Sequence, residues 1–464
     1  MKRTLPVILL LAAPLLAAGE EFIAGRVIES VACLADAEQS YALYVPGGYR
    51  PERPWPIIFC FDPGGRGAVP VRLFHEAAEK FGYILVGSNN SRNGPWEVVY
   101  RAARACWRDA HARFSIDDRR ICTAGFSGGA RAACGMGKML AVTLAGVIGC
   151  GAGLPEWLPP EDFAPVPWFG TAGLSDFNFA ELQELEERLG ALGSPRHLET
   201  FPGGHSWPPP ELVRAALQWL ELQAMEKGLR PADEALIDSW LESAMAKAGE
   251  LEAAGEMGQA YGEYVKIARD FAPYPGAARA GERASLLGRS QPVKKYVRAE
   301  AGREDEYASR LLRLKQAYSL LSGPLAEPGA GRRIIAQLKI ASLKKEAEKA
   351  GNGPQRIVAG RLLSELFVQA AGDGDKYLES RDGPRALIAF QILAEIKPAH
   401  PGVAYGLASA RALSGERKKA LKGLAAAVAL GFADHEALAS DPAWEHLRED
   451  PEFKEILASL RKAP

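Results

Sequence analysis

The chain has 464 residues, 47% hydrophobic and 24% charged, enough to bury more than one core and too many for a single ordinary domain. Its 56 lysines and arginines nearly cancel its 57 aspartates and glutamates, for a formal charge of -1. That balance excludes the basic footprint with which a protein grips nucleic acid or an anionic membrane.

At the N-terminus, Lys2 and Arg3, an apolar stretch over 5–18 and the small residues Ala17, Ala18 and Gly19 stand in the order of a cleavable export signal. The stretch is too short for an ordinary membrane span. The expectation is therefore a signal peptide over 1–19 and a periplasmic or secreted mature protein with no membrane span. Six cysteines (Cys33, Cys60, Cys106, Cys122, Cys134 and Cys150) all precede residue 151, and an even number in an exported chain permits disulfides. Cys60, Cys122 and Cys150 also lie in or end apolar runs, where a thiol packs as a small hydrophobe, so pairing stays open.

From residue 20 to about 225, eight apolar or β-branched runs, at 26–31, 41–45, 56–61, 83–87, 121–124, 144–150, 166–171 and 197–201, read as strands. Helical periodicity over 96–114, 128–140, 179–192 and 211–224 falls between or after them. This alternation predicts one α/β domain, 20–228, with a mostly parallel eight-stranded sheet. Beyond Gly228 and Pro231 the strand-like runs fade and amphipathic helical stretches take over, predicting an all-α domain over 229–464. Within it, Ala386, Phe390 and Leu393 are answered 34 residues later by Ala420, Leu424 and Ala427, and Ala260, Tyr264 and Ile267 show a related pattern. Small residues where paired helices cross, with a larger one between, give a close seam. The spacing resembles the tetratricopeptide repeat, Pro398 closing one unit, although Ala404 stands where such a unit carries a large aromatic. The alternative is a plain helical bundle.

Gly125-Phe126-Ser127-Gly128-Gly129 follows the run 121–124 and opens a small-residue helix. A serine on a sharp strand-to-helix turn is presented as a nucleophile, and flanking glycines let neighbouring elements approach it. Such a hydroxyl needs a base to take its proton and an acid to orient that base. Asp176 lies just past the run ending at Thr171, and His205, in Gly203-Gly204-His205, just past the run ending at Phe201. The order Ser, acid, His, each after a strand, brings Ser127, Asp176 and His205 to one edge of the sheet. Asp162 is the rival acid. His75 and His111 fall in helices, His197 lies within a strand, and the other histidines belong to the helical half. Donors for an oxyanion are expected from the N–H of Gly128 and from Gly64 or Gly65 in Asp62-Pro63-Gly64-Gly65-Arg66-Gly67.

On these motifs residues 20–225 resemble the α/β-hydrolase superfamily, and within it the secreted feruloyl esterases and polyhydroxybutyrate depolymerases. The stretches Tyr41-Ala42-Leu43-Tyr44-Val45-Pro46 and Ile116-Asp117-Asp118-Arg119-Arg120-Ile121 carry the resemblance further. Asp62-Pro63 departs from the family's His-Gly. The resemblance implies an exported serine hydrolase acting on small-molecule or polymer-linked carboxylic esters. A non-catalytic scaffold on a degenerate fold and a serine peptidase are the alternatives. About fifteen residues separate the strands at 150 and 166, so no large lid is expected, and Trp96, Trp157 and Trp207 are candidates for the cleft rim. With no CxxC pair, HExxH, complete GxGxxG or GxxxxGK[ST] motif, the sequence implies neither metal nor organic cofactor. The helical half offers a face for a protein or peptide partner, or a cover for the cleft.

Overall fold

Four inner strands are buried along their whole length, β3 (Trp55–Phe61), β4 (Ile84–Ser88), β6 (Gly146–Cys150) and β7 (Trp168–Gly173), as expected of strands covered on both faces. The computed structural model describes residues 22–325, 329–349 and 353–460; the expected export segment, 1–19, lies outside them. The sheet is completed by β1 (Val27–Cys33), β2 (Asp36–Tyr44), β5 (Ile116–Phe126) and β8 (Arg196–Phe201). The order is β1-β2-β4-β3-β5-β6-β7-β8, with β1 and β2 antiparallel to their neighbours and the others parallel. All eight expected runs are strands.

Helices α1 (Ala68–Phe81), α2 (Trp96–Arg113), α3 (Gly128–Leu140), a single turn α4 (Pro160–Phe163), α5 (Phe179–Ala191) and α6 (Pro210–Glu226) connect and cover the strands. α1 is the helix expected around His75, for which the sequence set no bounds; its first turn holds Pro70, and proline is tolerated there because that N–H has no helical partner. After β3 the chain runs to β4 on one side and then to β5 on the other. The loops leaving the carboxyl ends of β3 and β5 therefore diverge and open a crevice between them, the usual position for a site on an open α/β sheet.

From α7 the chain is helical: α7 (Glu234–Ala253), α8 (Met257–Asp270), α9 (Ala277–Gly288), α10 (Gln291–Ser319), α11 (Ala330–Leu338), α12 (Ile340–Ala347), α13 (Pro354–Glu379), α14 (Gly383–Ile396), α15 (Pro401–Leu413), α16 (Arg417–Ala429), α17 (His435–Ser440) and α18 (Pro451–Leu460). Ala386, Phe390 and Leu393 on α14, and Ala420, Leu424 and Ala427 on α16, are all buried, which either a repeat or a plain helical bundle requires. So are Ala260, Tyr264 and Ile267 on α8.

The two halves share packing. Leu222 and Met225 of α6 belong to one apolar cluster with Ile237, Trp240 and Leu241 of α7. Glu221, fully buried on α6, accepts from the Tyr83 hydroxyl at 2.6 Å and pairs with Arg120 of β5 and Arg230 of the connecting segment. On the other side of α6, His197 of β8 lies between Asp270 of α8 and Glu199, whose second oxygen takes Lys266 Nζ at 2.9 Å. A cleft of about 300 Å³ beside it has aromatic walls, Phe169, Trp219, Trp240 and Phe271, but its ionic groups are paired with one another. All six cysteines are free and buried; the Cys106 thiol is the largest influence on Cys33, whose pKa is lowered.

Candidate active site

Ser127 is the single residue between the end of β5 and the start of α3, with φ 54° and ψ -124°. A left-handed backbone is costly for a side chain with a Cβ and persists only where the surroundings hold it. Here Ser127 N–H donates to Cys150 O at 2.8 Å, and glycines allow the crossing: a methyl group on Gly125 would lie 2.0 Å from Gly129 O, and one on Gly129 2.1 Å from Phe61 O. Larger residues at either place would push the turn off the sheet.

The three side chains proposed from the sequence meet above this turn. Ser127 Oγ lies 2.9 Å from His205 Nε2. His205 Nδ1 lies 2.9 and 3.0 Å from the two carboxylate oxygens of Asp176. The arrangement is Oγ–H donating to Nε2 and Nδ1–H donating to the carboxylate, the tautomer that lets the imidazole take the serine proton. Asp176 is fully buried and also accepts the Asn178 N–H at 2.9 Å, so it tightens the turn into α5 while facing the histidine. Asp162, the rival acid, pairs instead with Lys138 at the surface.

Aromatic packing fixes the imidazole. Its ring lies between Phe126 (4.6 Å between centroids) and Phe177 (4.4 Å), and Trp207 packs 5.5 Å from Phe126. The loops after β7 and β8 are tied by backbone bonds, Leu174 N–H to Phe201 O at 2.9 Å and Ser175 N–H to Gly203 O at 2.7 Å. A methyl group on Gly173 would meet Gly204 O at 2.2 Å, so the acid and histidine loops touch through bare backbone. Trp96 and Trp157 pack edge to face, with Trp157 over Gly135, two turns along α3 from the serine. Of the three tryptophans considered for the rim, Trp207 is the one whose ring packs beside the triad.

The oxyanion loop differs from expectation. Gly128 N–H, at the first position of α3, has no carbonyl partner among the described residues and points from a helix N-terminus. Gly64 N–H, however, donates to Asp62 Oδ1 at 2.9 Å, and Gly65 N–H to Asp62 O at 3.1 Å. Both expected donors are thus spent inside the loop: the aspartate side chain two residues ahead takes the Gly64 N–H, and a turn closed on the Asp62 carbonyl takes that of Gly65. Asp62 is fully buried; burial raises its pKa, but Arg66, the Gly64 N–H and the Trp207 indole outweigh it and hold the carboxyl below its ordinary value. Asp62 thereby ties the oxyanion loop to the histidine loop through Trp207 Nε1, at 3.2 Å. On the same rim, Asn93 donates its N–H to Pro63 O at 2.8 Å and lays its amide against Gly128, where a methyl group would come 1.8 Å from Oδ1.

Sequence reasoning missed Phe177 and Asn93. Phe177 directly follows the acid, and a large apolar side chain in an otherwise polar turn was the available signal. Asn93 gave none.

No protein-family model matches the chain, and no curated protein matches it in sequence. Among solved structures it is similar to the S-formylglutathione hydrolase of Staphylococcus aureus, with 13% identity over 39% of this chain and 90% of that one and a TM-score of 0.33. A ferulic acid esterase is 15% identical over 42% of this chain and 96% of its own, with a TM-score of 0.36. An esterase from the planctomycete Thermogutta terrifontis is 15% identical over 45% and 96%, with a TM-score of 0.34.

Proposed function

We propose that the protein is an exported serine hydrolase that cleaves carboxylic esters, with a catalytic unit over 20–228 and a helical unit over 229–464. The observation that carries this reading is the unbroken hydrogen-bonded chain from Ser127 Oγ through His205 to buried Asp176, raised on a strained strand-to-helix turn. Export rests on the order of residues 1–19.

In the reaction, Ser127 Oγ attacks the acyl carbon while His205 Nε2 takes its proton. Asp176 holds the ring and stabilises the imidazolium without itself taking the proton. The oxyanion receives the Gly128 N–H. His205 then protonates the departing alcohol, and a water activated by the same imidazole resolves the acyl-enzyme. Phe126 and Phe177 keep the imidazole in register through both proton transfers.

A fluorophosphonate probe and a chromogenic short-chain ester test the reading together. The wild-type chain should label at Ser127 and turn over ester, and Ser127→Ala should abolish labelling and cut kcat by roughly 10⁴–10⁶-fold with the fold intact. Ester turnover retained in S127A would end the assignment. A chain that neither labels nor turns over would leave the scaffold alternative.

A further inference from the structure

The loop that carries Asp176 is gripped from two sides. Its N–H groups face the sheet half: Leu174 N–H goes to Phe201 O, Ser175 N–H to Gly203 O and Asp176 N–H to Gly173 O, all within 2.9 Å. Its carbonyls face the helical half. Arg361 Nε of α13 donates to Leu174 O at 2.8 Å, Ser364 Oγ to Ser175 O at 3.4 Å, and the Tyr307 hydroxyl of α10 to Phe177 O at 3.5 Å. Gly360 brings α13 against the Ser175 side chain, where a methyl group would come 2.7 Å from Oγ.

Arg361 makes the short bond of the three, and its setting is unusual. The side chain is wholly buried. The guanidinium lies 3.8 Å over the Phe179 ring and 5.6 Å from that of Tyr307, and Nη1 contacts both oxygens of Glu304 at 2.9 Å. Nη2 is buried with no hydrogen-bond partner. Burying a guanidinium with one donor unsatisfied is costly. A leucine would pack an apolar seam at lower cost, but it would leave the Leu174 carbonyl without a donor, two residues before the catalytic acid.

We propose that Arg361 is a positioning residue for hydrolysis: through the Leu174 carbonyl and the Phe179 ring it holds the 174–179 segment so that Asp176 and Phe177 both bear on His205. The inference rests on the serine hydrolase reading above. It makes the helical half a structural member of the catalytic site, in addition to any partner it binds.

The test uses the full chain. Active sites are counted by fluorophosphonate stoichiometry, and kcat and KM are measured per active site for wild type, R361M, R361K and E304Q, with circular dichroism to follow the fold. For R361M the expected result is an about 10- to 100-fold loss of kcat per active site with KM within about twofold of wild type. R361K, which restores a donor to Leu174 O, should recover part of the loss, and E304Q should lose kcat in smaller measure, again with KM kept. Wild-type kcat per active site in R361M overturns the proposal, as does activity that falls only with the number of active sites. If R361M does not fold, R361K and E304Q decide by the same readouts. A labelled, active wild type with unaffected variants defeats this inference alone, whereas a wild type that neither labels nor turns over defeats the hydrolase reading and the inference with it.

Discussion

Replacing Asp176 by asparagine isolates what the acid contributes. The substitution keeps shape and the acceptor for the Asn178 N–H, so α5 should still start where it does. What changes is the histidine tautomer. Oδ1, which takes the Asn178 N–H, lies 2.9 Å from His205 Nδ1 and Oδ2 lies 3.0 Å from it, so asparagine sets an NH2 donor against the ring nitrogen where the carboxylate offers only acceptors. Nδ1 then accepts and the ring proton sits on Nε2, which can no longer accept from Ser127. Asp176 is fully buried, so no water replaces the lost acceptor. In triads of this type the corresponding change costs about 10⁴-fold in kcat, or ~5.5 kcal/mol of transition-state stabilisation. The assay is ester turnover per folded molecule at neutral pH, with a thermal melt to confirm the fold. A loss under tenfold in a folded D176N chain would mean that Asp176 does not orient the base.

Two further expectations concern the junction between the halves. Glu221→Gln removes the carboxylate shared by Arg120 and Arg230; leaving buried guanidinium charge uncompensated should lower the unfolding free energy by about 3 kcal/mol, read by denaturant titration, and a change within 0.5 kcal/mol would refute the pairing. His197 is buried, which opposes its charge, but Asp270 and Glu199 outweigh burial and raise its pKa to about 9. Because the folded value lies above the ordinary 6.5, the stabilisation, at most about 3 kcal/mol, is fully present below pH 6.5 and lost as pH rises through about 9. Denaturation of wild type and H197Q at pH 6 and pH 9.5 should show that loss in wild type alone; parallel losses would count against it.

The positions of strands were legible because hydrophobic runs bounded by turns need nothing beyond their own neighbours. Their lateral order was not, since it depends on which loops cross the sheet. Ser127, Asp176 and His205 could be singled out because each follows a strand in a fixed succession. The spent N–H of Gly64 could not: it depends on where the Asp62 side chain turns, and that is decided by Arg66 and Trp207, the latter 145 residues away. His197 was set aside as lying within a strand, and its partner Asp270 sits across a domain seam no local pattern reveals. Arg361 was readable only as a lone charge within Ile357-Val358-Ala359-Gly360-Arg361-Leu362, a run that otherwise calls for apolar residues.

The last strand of the sheet has a further consequence. β8 ends the strand order, so one side of its backbone has no sheet partner, the situation in which proteins recruit stray strands and aggregate. It carries Arg196, His197 and Glu199, charges poorly suited to joining a foreign sheet, and α8 clasps two of them with Asp270 and Lys266. Fixing these two side chains from α8 keeps charged groups standing on the terminal strand, so the device that discourages a foreign strand is held in place by a helix about 70 residues further along the chain.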